Sequence, residues 1–172
     1  MLKFTGCILI VVASSVMGYM RGLDIQRHLE DVQTIRQLFL MLKSEIKYAK
    51  TPFAEAFYHI GRRMEGQYAK WLMQLSRELE EKTGAVFINV WSSTIENCLK
   101  DTYLSREDLN RLKEAGVHMG YMDEEMQLGA IRLFLEQLEI EIQQIRENIA
   151  VQRRLCNCLG VMGGIFLAVI LM

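Results

Sequence analysis

Acidic side chains are missing from both ends of this 172-residue chain: all 21 Asp and Glu lie between Asp24 and Glu147. Residues 4–20 and 155–172 carry no charge of either sign, in runs at the short end of what spans a bilayer. Proline is almost absent as well. Pro52 stands alone, so no Pro-rich linker divides the chain and none interrupts residues 124–172. Histidine is scarce, and three of them leave metal chemistry few ligands. Of the four cysteines, Cys7, Cys156 and Cys158 fall in or beside the uncharged ends, which leaves Cys98 alone in the middle and rules out a disulfide framework there. Cys156-Asn-Cys158 lacks the further ligands of a chelating site and reads as a pair of thiols beside lipid. Also missing are a P-loop, a G-x-G-x-x-G after a strand, H-E-x-x-H and G-x-S-x-G.

What is present divides the chain into two apolar ends and a charged middle. Arg21 and Arg27 flank the first uncharged run on its inner side, and Arg146, Arg153 and Arg154 flank the second, whereas Lys3 is the one basic side chain beyond. The positive-inside rule then places the middle in the cytoplasm. The expected organisation is a transmembrane helix over 4–20, a cytoplasmic helical domain over 21–154 and a transmembrane helix over 155–172, with little protein beyond the membrane. A cleaved signal peptide is the alternative for the first run, but residues 13–18 offer no clean A-x-A site. Between residues 22 and 152, sixteen Lys and Arg face twenty-one Asp and Glu, a net charge of −5. A polyphosphate backbone meets repulsion from such a surface, which argues against nucleic acid as partner. A protein with a basic face fits better.

Apolar residues recur at three and four, not at two, so the expected fold is all-α. Leu128, Ile131, Leu135, Leu138, Ile142, Ile145 and Ile149 form a heptad seam, with Asp123 as N-cap and Glu124 and Glu125 at the positive helix end. A helix continuous to Met172 would be roughly 70 Å long. Val32, Ile35, Phe39, Leu42, Ile46 and Ala49 repeat the spacing after the first uncharged run. Antiparallel packing of these two long helices buries both seams and leaves each running into its membrane segment. Thr51 as N-cap with Pro52 at the first helical position marks a restart. Four shorter helices then follow, separated by breakers at Gly66, Thr83-Gly84, Asp101-Thr102 and residues 116–120, for a bundle of about six helices. Ser105-x-x-Asp108 resembles a capping box for the last short helix. Gly160 and Gly164 give the second membrane segment a small-residue surface for helix packing. The seam itself pairs equally well within one chain or between two, so homo-oligomerisation stays open.

Two carboxylate–imidazole pairs one helical turn apart, Glu55/His59 and Glu114/His118, are the nearest approach to catalytic chemistry. Di-iron bundles use Glu-x-x-His, however, and Gly116 interrupts the second pair, so surface ion pairing is the plainer reading. The acidic run Glu78, Glu80, Glu81 reads as a solvated face or a docking patch. No catalytic residue, metal ligand or cofactor follows from the sequence.

Three stretches carry a family resemblance: Glu45-Ile46-x-Tyr48-x-x-Thr51-Pro52-Phe53-x-Glu55-Ala56, Gly120-x-x-Asp123-x-x-x-Gln127 and Leu159-Gly160-x-x-Gly163. With the length and both apolar ends, the chain resembles the stage III sporulation protein AB family of endospore-forming bacteria. Phe53 and Met119 depart from the leucines of that pattern. The resemblance implies a place in the channel between mother cell and forespore, in the outer forespore membrane on the mother-cell side. It also implies similarity to the platform (F) component of type II secretion systems and a secretion-type ATPase, stage III sporulation protein AA, as partner beside other channel components. The chain would then be a non-enzymatic membrane adaptor. A membrane-anchored coiled-coil signalling or tethering adaptor is the alternative, and a metal-dependent membrane enzyme ranks third. Thr51, Pro52, Asp123 and Gln127 are the expected partner-binding residues, because both turns should lie at the end of the bundle away from the membrane.

Overall fold

The computed structural model describes residues 2–81, 86–120 and 123–171, with side chains described for residues 23–81, 86–120 and 123–151. Among them are six α-helices and no strand. α1 (Leu2–Ser44) passes into a π-helical turn (Glu45–Ala49), followed by α2 (Phe53–Gly61), α3 (Gly66–Glu81), α4 (Phe87–Cys98), α5 (Arg106–Met119) and α6 (Glu124–Leu171). The all-helical fold and the helix number match the sequence reading. Residues Glu30–Ile140 form one compact unit; the chain before Glu30 and after Ile140 forms the other.

The seams do what their spacing requires. Within the compact unit, Val32, Ile35, Phe39, Leu42 and Ile46 of the first seam are buried, as are Ile131, Leu135 and Leu138 of the second. Leu38 and Phe134 broaden the two stripes, and each apolar side chain so removed from water contributes on the order of 1.5–3 kcal/mol. Ala49 is exposed, so the first seam ends one turn early at Ile46. Phe39 packs on Phe134 with ring centroids 4.5 Å apart, and Arg36 Nε lies 2.7 Å from Glu139 Oε2. Rising numbers on α1 thus meet falling numbers on α6, and within this unit the two helices run antiparallel. In the other unit Ile142 and Ile145 are buried as well.

The short helices close over Trp91. Its ring meets Trp71 edge-on at 5.1 Å and lies 5.8 Å from Phe57 and 5.7 Å from Phe87, while Phe39 reaches it from α1 at 6.4 Å. Both buried indoles find acceptors. Trp91 Nε1 donates to the Leu112 carbonyl at 2.9 Å, and Trp71 Nε1 donates to Thr94 Oγ1 at 3.2 Å. Unpaired, each N–H would cost about 1–3 kcal/mol.

This arrangement corrects the expected break at residues 116–120. α5 continues through Gly116 to Met119, and Gly116 is a notch for Trp91: an added Cβ would lie 2.2 Å from Trp91 Cδ1. The glycine is there for the indole, not for a turn. Gly120 ends the helix, its N–H donating to the Gly116 carbonyl. The capping box at the other end of α5 is present, with Ser105 Oγ accepting from the Asp108 N–H and Asp108 Oδ2 accepting from the Ser105 N–H. Gly66, at φ +66°, opens α3 in a conformation that favours glycine.

No helix among the described residues is long and apolar enough to cross a membrane. The side chains of residues 4–20 and 155–172, Gly160 and Gly164 included, lie outside the described residues.

Candidate functional site

The turn after α1 is organised by Glu45. Its Oε2 accepts from Thr51 Oγ1 at 3.4 Å and lies 3.6 Å from His59 Nδ1, while Oε1 lies 3.8 Å from Arg63. Only 12 % of that side chain is exposed, so these partners compensate a carboxylate largely withdrawn from water. The last turn of the first long helix widens to the π form, and Lys50 follows at φ 52°, in the left-handed region. Both are departures that concentrate where a chain must redirect a side chain or a partner must reach it.

Here the expected cap fails. The Thr51 hydroxyl is engaged by Glu45 and caps nothing; Pro52, at ψ 150°, is itself the N-cap of α2 and supplies the carbonyl that accepts from the Ala56 N–H. Proline lacks an N–H to satisfy and its fixed φ suits either position, so the restart signal is right and its register is off by one. His59 Nε2 also lies 3.8 Å from Glu55 Oε1, a surface contact that becomes an ion pair when the imidazole is protonated. Neither this pair nor Glu114/His118 belongs to a group of three or more metal-ligating side chains among the described residues.

The second turn is simpler. Asp123 caps α6 as expected, its Oδ2 accepting from the Met126 N–H at 3.2 Å and its carbonyl accepting from the Gln127 N–H. Asp123 is exposed and Gln127 half-buried. From the Phe39–Phe134 contact, ten residues forward on α1 and ten back on α6 each cover on the order of 15 Å, which brings Ala49 level with Glu124. Thr51, Pro52, Asp123 and Gln127 therefore share one end of the compact unit.

Beside that end, α5 and the start of α6 enclose a groove of about 340 Å³ with Phe134 and Ala115 in its lining and Arg111 and His118 along it. Met126 and Leu133, 54 % and 58 % exposed, project at its rim. Gly129 lies in the groove too, and a Cβ there would meet nothing within 4 Å.

A polar cluster ties α1 to the α4–α5 link. Asp31 Oδ2 accepts from the Tyr103 N–H at 2.6 Å, and Arg111 pairs with Asp108 at 2.9 Å. The buried Tyr68 hydroxyl faces the Asp31 carboxylate and Thr102 without a well-aligned hydrogen bond to either. Burial above all, and then that charge, push its phenol far above the usual range. Burial also pushes the Cys98 thiol up, with the Glu78 charge adding, and the thiol donates to Gln74 Oε1 at 3.2 Å. A raised thiol suits a structural cysteine.

Sequence reasoning missed the Glu45 hub, the left-handed Lys50 and the groove. Glu45 stands inside a quoted motif, but its ties to His59 and Arg63 depend on how α2 folds back, which no spacing within α1 reveals.

The fold is that of an all-helical protein, with two redirecting turns at one end of its compact unit. Comparison with known proteins narrows this. The sequence profile described as Stage III sporulation protein AB matches residues 3–172, and the chain belongs to that family. It is 23 % identical to the Stage III sporulation protein AB of Bacillus subtilis (strain 168) over 172 residues, all of both chains. A solved structure of a Stage III sporulation protein AB superposes with a TM-score of 0.65 at 19 % identity, covering 72 % of this chain and 97 % of that one, which shows a shared fold.

Proposed function

We propose that this chain is a non-enzymatic membrane platform in a secretion-like channel needed for endospore formation. Residues 4–20 and 155–172 anchor it in the outer forespore membrane, and residues 21–154 stand in the mother-cell cytoplasm, where they hold a secretion-type ATPase, stage III sporulation protein AA, against the other channel components. The observation that carries this reading is the pair of long helices. Each uncharged end belongs to the same helix as one buried seam, α1 over Leu2–Ser44 and α6 over Glu124–Leu171. Family membership supplies the sporulation context. The end of the compact unit that carries Thr51, Pro52, Asp123 and Gln127 is the docking surface.

The test is co-purification of the full chain, in lipid vesicles, with the ATPase. Asp123→Arg lowers binding about tenfold while circular dichroism shows helicity retained; an unchanged affinity removes this turn from the interface. A reporter fused after Lys50 and found exported would overturn the membrane topology.

A further inference from the structure

The docking end is not uniformly acidic, as the net charge of −5 over residues 22–152 suggests, but split. Residues 43–63 hold five Lys and Arg against two Glu, a net charge of +3, while residues 114–127 hold four Asp and Glu and no Lys or Arg, a net charge of −4. The register of α1 against α6 puts the basic and the acidic turn at the same end of the compact unit.

These charges do not satisfy one another. Among the described residues, Lys47, Lys50 and Arg62 on one turn and Glu124 and Glu125 on the other are exposed and make no ion pair. Two of the cations instead lie over exposed phenol rings. Lys47 Nζ is 5.2 Å from the centre of Tyr48, itself 76 % exposed, and the Arg62 guanidinium is 6.0 Å from that of Tyr58. Each ring presents a hydroxyl and an apolar face beside a cation, so an arriving carboxylate meets charge and a donor together. Lys50 holds its charge here from a left-handed backbone that glycine would adopt without strain.

We infer that this split end, beyond the ATPase contact proposed above, also serves self-association: the basic turn of one copy, around Lys47, Lys50 and Arg62, docks on the acidic turn of a second copy, around Glu124 and Glu125. A partner of one sign would be repelled by the other turn. The chain's own second turn supplies a surface of opposite sign at the same level. Such a contact is heterologous and leaves a basic and an acidic edge free on every pair, so it continues into a row or closes into a ring. The side-by-side orientation of the copies rests on the membrane reading above; the pairing of the turns does not.

The test is energy transfer between donor- and acceptor-labelled full chains in zwitterionic lipid vesicles, with flotation reporting membrane association separately and transfer read in whichever fraction holds the protein. Transfer falls about fivefold as salt rises from about 0.05 to 0.5 M, because the Debye length shrinks below the charge separation. Lys47→Glu with Lys50→Glu abolishes it, as does Glu124→Lys with Glu125→Lys, each with unchanged helicity by circular dichroism. Mixing the two variants restores it, since the reversed turn of each now matches the reversed turn of the other. Loss in both variants without recovery on mixing overturns the inference, as does transfer that ignores salt and both reversals, or transfer that requires anionic lipid. Protein that fails to float counts against the membrane reading alone.

Discussion

Gly116 and Gly129 both sit inside helices, and their surroundings are opposite. Around Gly116 the space is taken by Trp91, whose indole lies where a Cβ would go; a Cβ at Gly129 would meet, among the described residues, nothing beyond its own helix backbone within 4 Å. The first glycine is explained entirely by its neighbours. No contact among the described residues explains the second, although a helix-interior glycine costs roughly 0.5–1 kcal/mol against alanine. The contrast extends to the regions they represent. In the core, three polar side chains answer to a contact: Trp91 to the Leu112 carbonyl, Thr94 to Trp71, Asp108 to Ser105. At the end where the turns lie, Lys50 is left-handed, Tyr48 is 76 % exposed and Met126 is 54 % exposed. The contacts among the described residues do not offset these costs.

The contrast breaks most sharply at Gly116. Gly116→Ala puts a methyl into the Trp91 ring, and since Trp91 is fully buried among aromatic side chains it has no room to give. A loss of about 3 kcal/mol is expected, from overpacking together with a disturbed indole hydrogen bond. Urea unfolding of the full chain in detergent measures it. A loss under about 1 kcal/mol would mean that the notch does not hold the indole.

The sequence made the long seams legible because heptad spacing survives any tertiary arrangement that buries one face; Ile35, Phe39, Leu135 and Leu138 are buried where the pattern puts them. The capping box of α5 and the cap of α6 were legible for a related reason, since Ser105, Asp108 and Asp123 act on backbone within three residues. What was hidden depends on distant partners. Gly116 looks like a breaker until Trp91, 25 positions earlier, is packed on it, and Thr51 looks like a cap until Glu45 takes its hydroxyl. The split charge at the end that carries the two turns was hidden by averaging: net charge over the whole middle segment conceals two turns of opposite sign.

Tyr68 carries the comparison into the buried polar cluster. Its hydroxyl is buried beside the Asp31 carboxylate, burial and that charge both favour the neutral phenol, and Tyr68→Phe removes the titration altogether. The pH dependence has a definite sign. The native state holds the phenol proton more tightly than the unfolded chain, so the contribution is complete below the ordinary tyrosine value of about 10 and is lost as pH rises through and beyond it. Urea midpoints between about pH 8 and 11 should fall less steeply for Tyr68→Phe than for the parent chain. Equal slopes would show that the phenol is not shielded. Lys50→Gly tests the other region, and relieving the left-handed lysine should raise stability by about 1 kcal/mol.

Gly129→Ala has the smallest expected effect and separates the two regions most cleanly. Alanine lowers the entropy of the unfolded chain and favours the helix, and with nothing within 4 Å the methyl meets no neighbour. Stability should therefore rise by about 0.5 kcal/mol, read as a small increase in the urea midpoint with unchanged slope. The same methyl at Gly116 is expected to cost several times more with the opposite sign, so the pair measures how far the surroundings of a glycine, as against its helix propensity, decide its worth. Should Gly129→Ala destabilise the chain, the groove between α5 and α6 must be filled in solution by a neighbouring side chain, and the contrast would rest on Lys50 and Tyr48 alone.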